Sequence, residues 1–301
     1  MKRAPSLAVM LAPIAVLAVF VAVRVLAGPL PGIDPKQMQQ LQQGAQTIGQ
    51  INKANQPWSN KEERATGRVL AARVAASFGG VWKNEAWTAY VNKIGRGLVP
   101  LSNRPDIKYR FAILNSEDVN AFSCPGGYIF VTKGLLKAVK NEAQLAGVLA
   151  HEIAHVSEKH IEKEVKNQKL AGIALEQGLN FAASEGQLKP EEVEAMKKIG
   201  DAGYEILVKK GYSREDEFEA DRLAARTMFK MGYQPEALVE FVRSLGSNKT
   251  SQLQVFLSTH PAAEDRAKTI KEQIESKKWK TDGLALLADR LERMKTQNPL
   301  K

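Results

Sequence analysis

The chain has 301 residues, with 43 basic against 33 acidic side chains, a net charge of +10 and 1 cysteine. That cysteine, Cys124, excludes an intrachain disulfide, a cysteine-built metal site and a dithiol redox pair, and it reads as a small buried apolar residue. The basic residues are dispersed among acids without the patch-plus-aromatic pattern of an RNA or DNA module, so no nucleic acid is expected as a partner; a solvated surface near anionic lipid headgroups accounts for the charge.

At the N-terminus, Lys2 and Arg3 precede an uncharged apolar run from Leu7 to Val23, interrupted only by Pro13. Its length falls between a signal-peptide core and a full membrane span. Residues 1–27 are expected to form an uncleaved single-pass anchor with the charged end in the cytoplasm. The alternative is a signal peptide cleaved near Ala27, although Arg24 is poorly placed for that. Either way the body of the protein is exported, which places it in a bacterial cell envelope: inner membrane with a periplasmic catalytic domain, or periplasm after cleavage.

Residues 28–57 read as a Gln-rich linker, and residues 58–272 as the principal domain, long enough for a large core. Trp58 to Pro100 reads as helical throughout, with Val69, Leu70, Val74 and Phe78 on one face and Trp87, Tyr90, Val91 and Ile94 on a second segment. Lys108 to Leu114 and Tyr128 to Thr132 then alternate and are rich in strand formers, with Pro125-Gly126-Gly127 as turn material after Phe122. A small hairpin sheet is expected here. Its exposed edge would offer unpaired N–H and C=O groups to an extended peptide.

The segment that follows carries the chemistry. Asn141 is a suitable N-cap, and Leu145, Val148, Leu149, Ile153 and Val156 recur at helical spacing around His151-Glu152-Ile153-Ala154-His155. In an HExxH on a helix, the two imidazoles lie one turn apart on one face and can share a metal ion, with Glu152 beside them. Zinc needs a third protein ligand, and an open position for water if the site is catalytic. His160 fails as that ligand: a continuous helix turns it about 140° away from the metal face, so it reads as structural or solvated. Residues 162–212 read as polar helices joined around Gly186 to Pro190, as a lid over the cleft or a packed accessory hairpin.

Downstream, Ser213 can cap a helix whose first turn is acidic and which Gly232 terminates; within it Glu217 and Asp221 share a face. Alone these two would be an ordinary charged face. With an HExxH upstream, Glu217 completes a His₂Glu site, and Asp221 accepts the distal N–H of His151 or His155. Residues 273–301 complete the chain as a C-terminal helix and tail: Lys271 to Lys301 reads as an amphipathic helix through Leu284, Leu287, Leu291 and Met294 with a fraying end, and no 34-residue repeat is visible.

The HEIAH motif, the Ser213 to Asp221 segment, the run from Asn120 to Val131, and His260-Pro261 with Arg266 together resemble the gluzincin family of zinc metallopeptidases that includes HtpX, the CaaX prenyl proteases, Oma1 and BepA. The resemblance covers roughly Trp58 to Ile270. It implies an α+β, mostly helical, zincin-like domain with a small β-sheet beside the HExxH helix. It further implies one Zn²⁺ per chain on His151, His155 and Glu217, with Glu152 as base and Asp221 in support. Asn120, Ala121 and Phe122 would lie on a strand edge along the cleft that pairs with extended or unfolded polypeptides. His260 and Arg266 match an HP…R element near the site. No later apolar run in the sequence is long enough to span a membrane, so the chain departs from the multi-spanning HtpX type and CaaX processing is not expected.

The chemistry expected is peptide-bond hydrolysis of misfolded or misassembled envelope proteins. Zinc lowers the pKa of its water towards about 7 and polarises the scissile carbonyl. Glu152 activates that water and returns the proton to the leaving amine. The oxyanion needs a further donor, for which His260 and Arg266 are the candidates; His260 could instead occupy the open zinc position, or serve structure alone. The alternative function is a periplasmic chaperone or assembly factor with latent protease activity.

Overall fold

A computed structural model describes residues 46–49, 51–52, 55–168, 206–247, 260 and 263–300. The expected N-terminal anchor, nearly all of the linker, and most of the 162–212 segment lie outside the described residues. Among the described residues no helix is long and apolar enough to cross a membrane. The chain divides into two compact units, Met1–Gln56 with Lys169–Lys198, and Pro57–Gln168 with Ile199–Lys301. The second unit carries every element named below.

Two helices open it. Helix α1 (Asn60–Ser77) starts from a capping box in which Ser59 and Glu62 satisfy each other's backbone N–H groups, and α2 (Glu85–Leu98) starts from Asn84. Trp58 to Pro100 is therefore not helical throughout: Gly79 and Gly80, both at positive φ, break it. Leu70 and Val74 of α1 and Phe78 at its C-cap are buried as their spacing predicts, but Val69 is 68% exposed, being one residue off the buried stripe.

The sheet has three strands, β1 (Arg110–Leu114), β2 (Ala121–Cys124) and β3 (Tyr128–Thr132), in the order β1-β3-β2. The hairpin is β2–β3, turned by Gly126 and Gly127 at positive φ, whereas β1 joins β3 in parallel. The two strands read from alternation, Lys108 to Leu114 and Tyr128 to Thr132, therefore do not form the expected hairpin with each other: they run parallel, and the antiparallel partner of β3 is β2. Glu63 of α1 ties that turn down: its carboxylate accepts from the N–H of Gly126 and pairs with Arg104 on both oxygens. A Cβ on Gly67 would come within 1.7 Å of the Pro125 carbonyl oxygen, so α1 lies directly on the turn.

After the short α3 (Lys133–Ala138), helix α4 (Glu142–Ser157) runs through the middle of the unit. Every one of its residues is buried, which is the signature of a central helix rather than a surface one. Asn141 caps it, accepting from Gln144 N–H. The chain turns at Glu158 and Lys159 and continues as α5 (160–168). A π-turn (Ile206–Lys210) leads to α6 (Arg214–Met231), capped by Ser213 and ended by Gly232 at φ 87°. Helix α6 packs on α4 at small residues: a Cβ on Gly147 would meet Met228 Sδ at 3.1 Å. Helices α7 (Glu236–Ser247), α8 (Ala263–Ser276) and α9 (Ala288–Gln297) complete the unit.

The amphipathic helix expected from Lys271 onward is two helices. Lys278 and Leu287 take left-handed φ, Gly283 turns the chain, and Ala285 bridges Tyr233, so Leu284 and Leu287 lie between α8 and α9. The buried carboxylate of Glu142 anchors this end of the chain, accepting from Tyr90 and Tyr233 and pairing with Arg290 of α9. The architecture is a mostly helical α+β domain with a small mixed sheet beside α4.

Candidate metal centre

Helix α4 presents His151, Glu152 and His155, and α6 crosses it so that Glu217 faces the two imidazoles. His151 Nε2 and His155 Nε2 are 2.9 Å apart, and Glu217 reaches them at 3.6 and 3.3 Å. His260 joins from ahead of α8, with Nδ1 2.9 Å from Glu217 Oε1 and Nε2 3.8 Å from Glu152 Oε1. One donor atom from each of His151, His155, Glu217 and His260 lies within 4.8 Å of all the others. This set fits a divalent ion of borderline softness: imidazole nitrogens and a carboxylate converge, and both oxygens of buried Glu152 make no hydrogen bond.

The surroundings set the charge states. Burial works against ionisation of Glu217, but His260, Arg266 and the hydrogen bond with His155 hold its carboxyl well below the usual range. Burial, reinforced by the neighbouring His151, pushes His155 well down and keeps it neutral, as a metal ligand must be. For His151, burial and Arg266 act downward but are outweighed by the hydrogen bond to Asp221 and the charges of Glu217 and Asp221, so its pKa rises. Asp221 Oδ1 is 3.0 Å from His151 Nδ1. Although buried, Asp221 is held at about 2 by Arg266 and His151.

Arg266 is a candidate oxyanion donor by sequence, but its N–H groups are committed to carboxylates of α6. Its Nε and Nη2 donate to the two oxygens of Asp221 at 2.7 and 2.8 Å, and Nη1 reaches Glu217 Oε2 at 3.2 Å. Its guanidinium is thus engaged with the acids of α6.

The strand β2 differs from expectation. Asn120, Ala121 and Phe122 are at most 2% exposed, so this edge of the sheet is not an exposed one. Helices α1 and α4 pack on it, and the ring of Phe122 sits 4.6 Å from that of Phe78. Its register with β3 sends the backbone groups of Ala121 and Ser123 away from β3. Cys124 is fully buried, and burial pushes its thiol far up.

Two residues stand at the site that sequence reasoning did not place there. Tyr212 stacks on His155, with centroids 3.9 Å apart and planes 15° from parallel. Nothing in its position just before a helix cap announces that. His160 Nδ1 is 2.8 Å from His155 Nδ1. Its proximity to the HExxH motif is the available signal, but a continuous helix would turn it away from His155.

Hydrolysis assisted by a metal needs rigid ligands on regular elements and a carboxylate nearby that the fold leaves uncommitted. A central helix supplies both here, and the class of protein so defined is a zincin-like metallopeptidase. The chain belongs to peptidase family M48, whose family model matches residues 85–274. Among its relatives, a putative beta-barrel assembly-enhancing protease of Vibrio cholerae is 32% identical over 184 residues, covering 59% of this chain and 37% of the relative. The beta-barrel assembly-enhancing protease of Escherichia coli K12 is 28% identical over 60% of this chain and 37% of its own length. A mitochondrial metalloendopeptidase OMA1 of Schizosaccharomyces pombe is 27% identical over 62% of this chain and 52% of its own. The matched region thus spans about a third to a half of these relatives.

Proposed function

We propose that the chain is a zinc-dependent endopeptidase that cuts misfolded or misassembled cell-envelope proteins. The observation that carries this reading is the convergence of His151, His155 and Glu217 beside a buried Glu152 whose oxygens make no hydrogen bond. When bound there, a zinc ion supplies a Lewis acid for the scissile carbonyl and lowers the pKa of water towards about 7. Glu152 takes the proton of the attacking water and delivers it to the departing amine. His260, whose Nε2 lies 3.8 Å from Glu152 Oε1, borders the same space and donates to the developing oxyanion. Arg266 acts through Asp221 and Glu217, which it braces.

The names of the beta-barrel assembly-enhancing relatives support a substrate class of assembling or misassembled proteins. The apolar run of residues 7–23 supports attachment to a membrane. Burial of the site, with Glu152 1% and His260 3% exposed, supports a second reading, a periplasmic chaperone or assembly factor with latent protease activity.

Zinc stoichiometry and casein cleavage, measured on the wild type, Glu152→Gln and Glu217→Ala, test the two readings. One zinc per chain is expected in the wild type and in Glu152→Gln. Cleavage is expected in the wild type only, falling at least about 100-fold in Glu152→Gln, and zinc is lost chiefly from Glu217→Ala. Zinc retained in all three would sink the ligand assignment. A wild-type cellular phenotype surviving Glu152→Gln would favour the chaperone.

A further inference from the structure

His155 directs Nε2 to His151 and Glu217, and its other nitrogen, Nδ1, meets Nδ1 of His160 at 2.8 Å. His160 is fully buried, and its Nε2 meets Glu219 Oε2 at 3.2 Å and Asp216 Oδ1 at 3.4 Å. Lys163 closes the cluster, its Nζ 3.3 Å from Glu219 Oε2 and 3.5 Å from Asp216 Oδ1. The turn that makes this possible is Lys159 at φ 57°, which ends α4 and swings His160 back beneath His155.

A neutral imidazole carries one proton, so these contacts have one consistent direction. With the lone pair of His155 Nε2 facing the ligand cluster, its proton is on Nδ1 and is donated to His160 Nδ1. His160 then carries its own proton on Nε2 and donates it to Glu219 and Asp216. A metal site on His160, Asp216 and Glu219 themselves is disfavoured, because the ammonium of Lys163 already lies against both carboxylates. Resting on the metal-site reading above, we propose that His160 is a positioning residue: an imidazole inserted between His155 and a carboxylate pair, fixing the tautomer and ring plane of His155 so that Nε2 is presented to the metal. Asp221 serves His151 by direct contact, whereas His155 is served at one remove. Partners of this kind raise ligand basicity, and their loss weakens metal binding about 10- to 100-fold.

Zinc affinity is measured by competition with a chromophoric chelator on the full chain, His160→Phe and His160→Asn, with thermal melting of each metal-free form as the fold control. Phenylalanine keeps the volume and removes both nitrogens; asparagine places an amide oxygen near the position of Nδ1. His160→Phe is expected to bind zinc about 10- to 100-fold more weakly, and His160→Asn to recover most of that loss, with both metal-free forms melting cooperatively. Wild-type affinity in a folded His160→Phe overturns the proposal. Should the variants not fold, the zinc-loaded wild type decides. A downfield, slowly exchanging His155 Nδ1 proton in its NMR spectrum supports the relay, and one that exchanges freely with solvent overturns it. A wild type that takes up no zinc overturns the metal-site reading and the relay together; a zinc-bound wild type with an indifferent His160→Phe overturns the relay alone.

Discussion

His151 and His155 sit one turn apart on the same helix, yet the protein supports them by opposite devices. Behind His151 is a compact buried ion pair: Asp221 accepts from the imidazole and is clamped by Arg266 on both oxygens. Behind His155 is a neutral ring, His160, and only then carboxylates, with the side chain of Glu219 39% exposed. The first device places fixed charge in a low-dielectric interior, where each member depends on the others. The second leaves Glu219 and Lys163 towards water, where they are screened, and keeps only Asp216 largely inside. Damage to the first should therefore reach the whole fold, while damage to the second should stay at the metal.

The largest effect that can sharpen this contrast is removal of Arg266. Arg266→Met leaves Asp221 and Glu217 as buried carboxylates without their cation. The metal-free protein is expected to lose about 3 to 5 kcal/mol of stability, read as a fall in the denaturation midpoint. A loss below about 1 kcal/mol would mean that the pair behaves like a surface bridge and that the contrast is false.

Acid titration gives the next effect. Asp221 is depressed to about 2 in the folded protein, from an ordinary value near 4. A depressed carboxyl contributes stability that is complete above its unfolded pKa and is lost as pH falls through the folded one. In the metal-free protein, about 2 to 3 kcal/mol should therefore be present at neutral pH and disappear between roughly pH 5 and pH 2. Comparing stability against pH for the wild type and Asp221→Asn isolates this share. Identical slopes in that window would show that Asp221 is not the group being held.

The carboxylate of the first device was legible in the sequence, though neither its choice of His151 nor its clamp by Arg266 was, and the second device was not legible at all, for a physical reason. His151, His155, Glu217 and Asp221 all lie on regular helices, where a spacing of four fixes a shared face, and their caps, Asn141, Ser213 and Gly232, are residues whose chemistry marks helix ends. His160 lies past a break with no such mark. Lys159 adopts a left-handed conformation although it is neither Gly nor Asn, so extending the helix by 100° per residue aimed His160 the wrong way. The sheet shows the same division: alternation identified β1 and β3, while the strand β2, the parallel placement of β1 against β3 and the covering of β2 depend on what packs where. The break between α8 and α9 was likewise hidden, because its apolar residues happen to fall at helical intervals.

The smallest expected effect is the most discriminating. Glu219 is the outermost member of the His155 support: it accepts from His160, carries Lys163 against it, and has its carboxyl held below the usual range by these two despite partial burial. In Glu219→Gln, Asp216 remains within 3.4 Å of His160 Nε2, and the amide oxygen of the new side chain can still accept. Stability should change by less than about 1 kcal/mol, and zinc affinity by less than the loss expected in His160→Phe. Raising the salt concentration should bring the variant and wild type closer still, since the charge removed is partly solvated. Chelator competition at low and high ionic strength measures this directly. A stability loss in Glu219→Gln as large as that in Arg266→Met would place the His155 support in the same buried, charge-dependent regime as that of His151, and the two devices would be one.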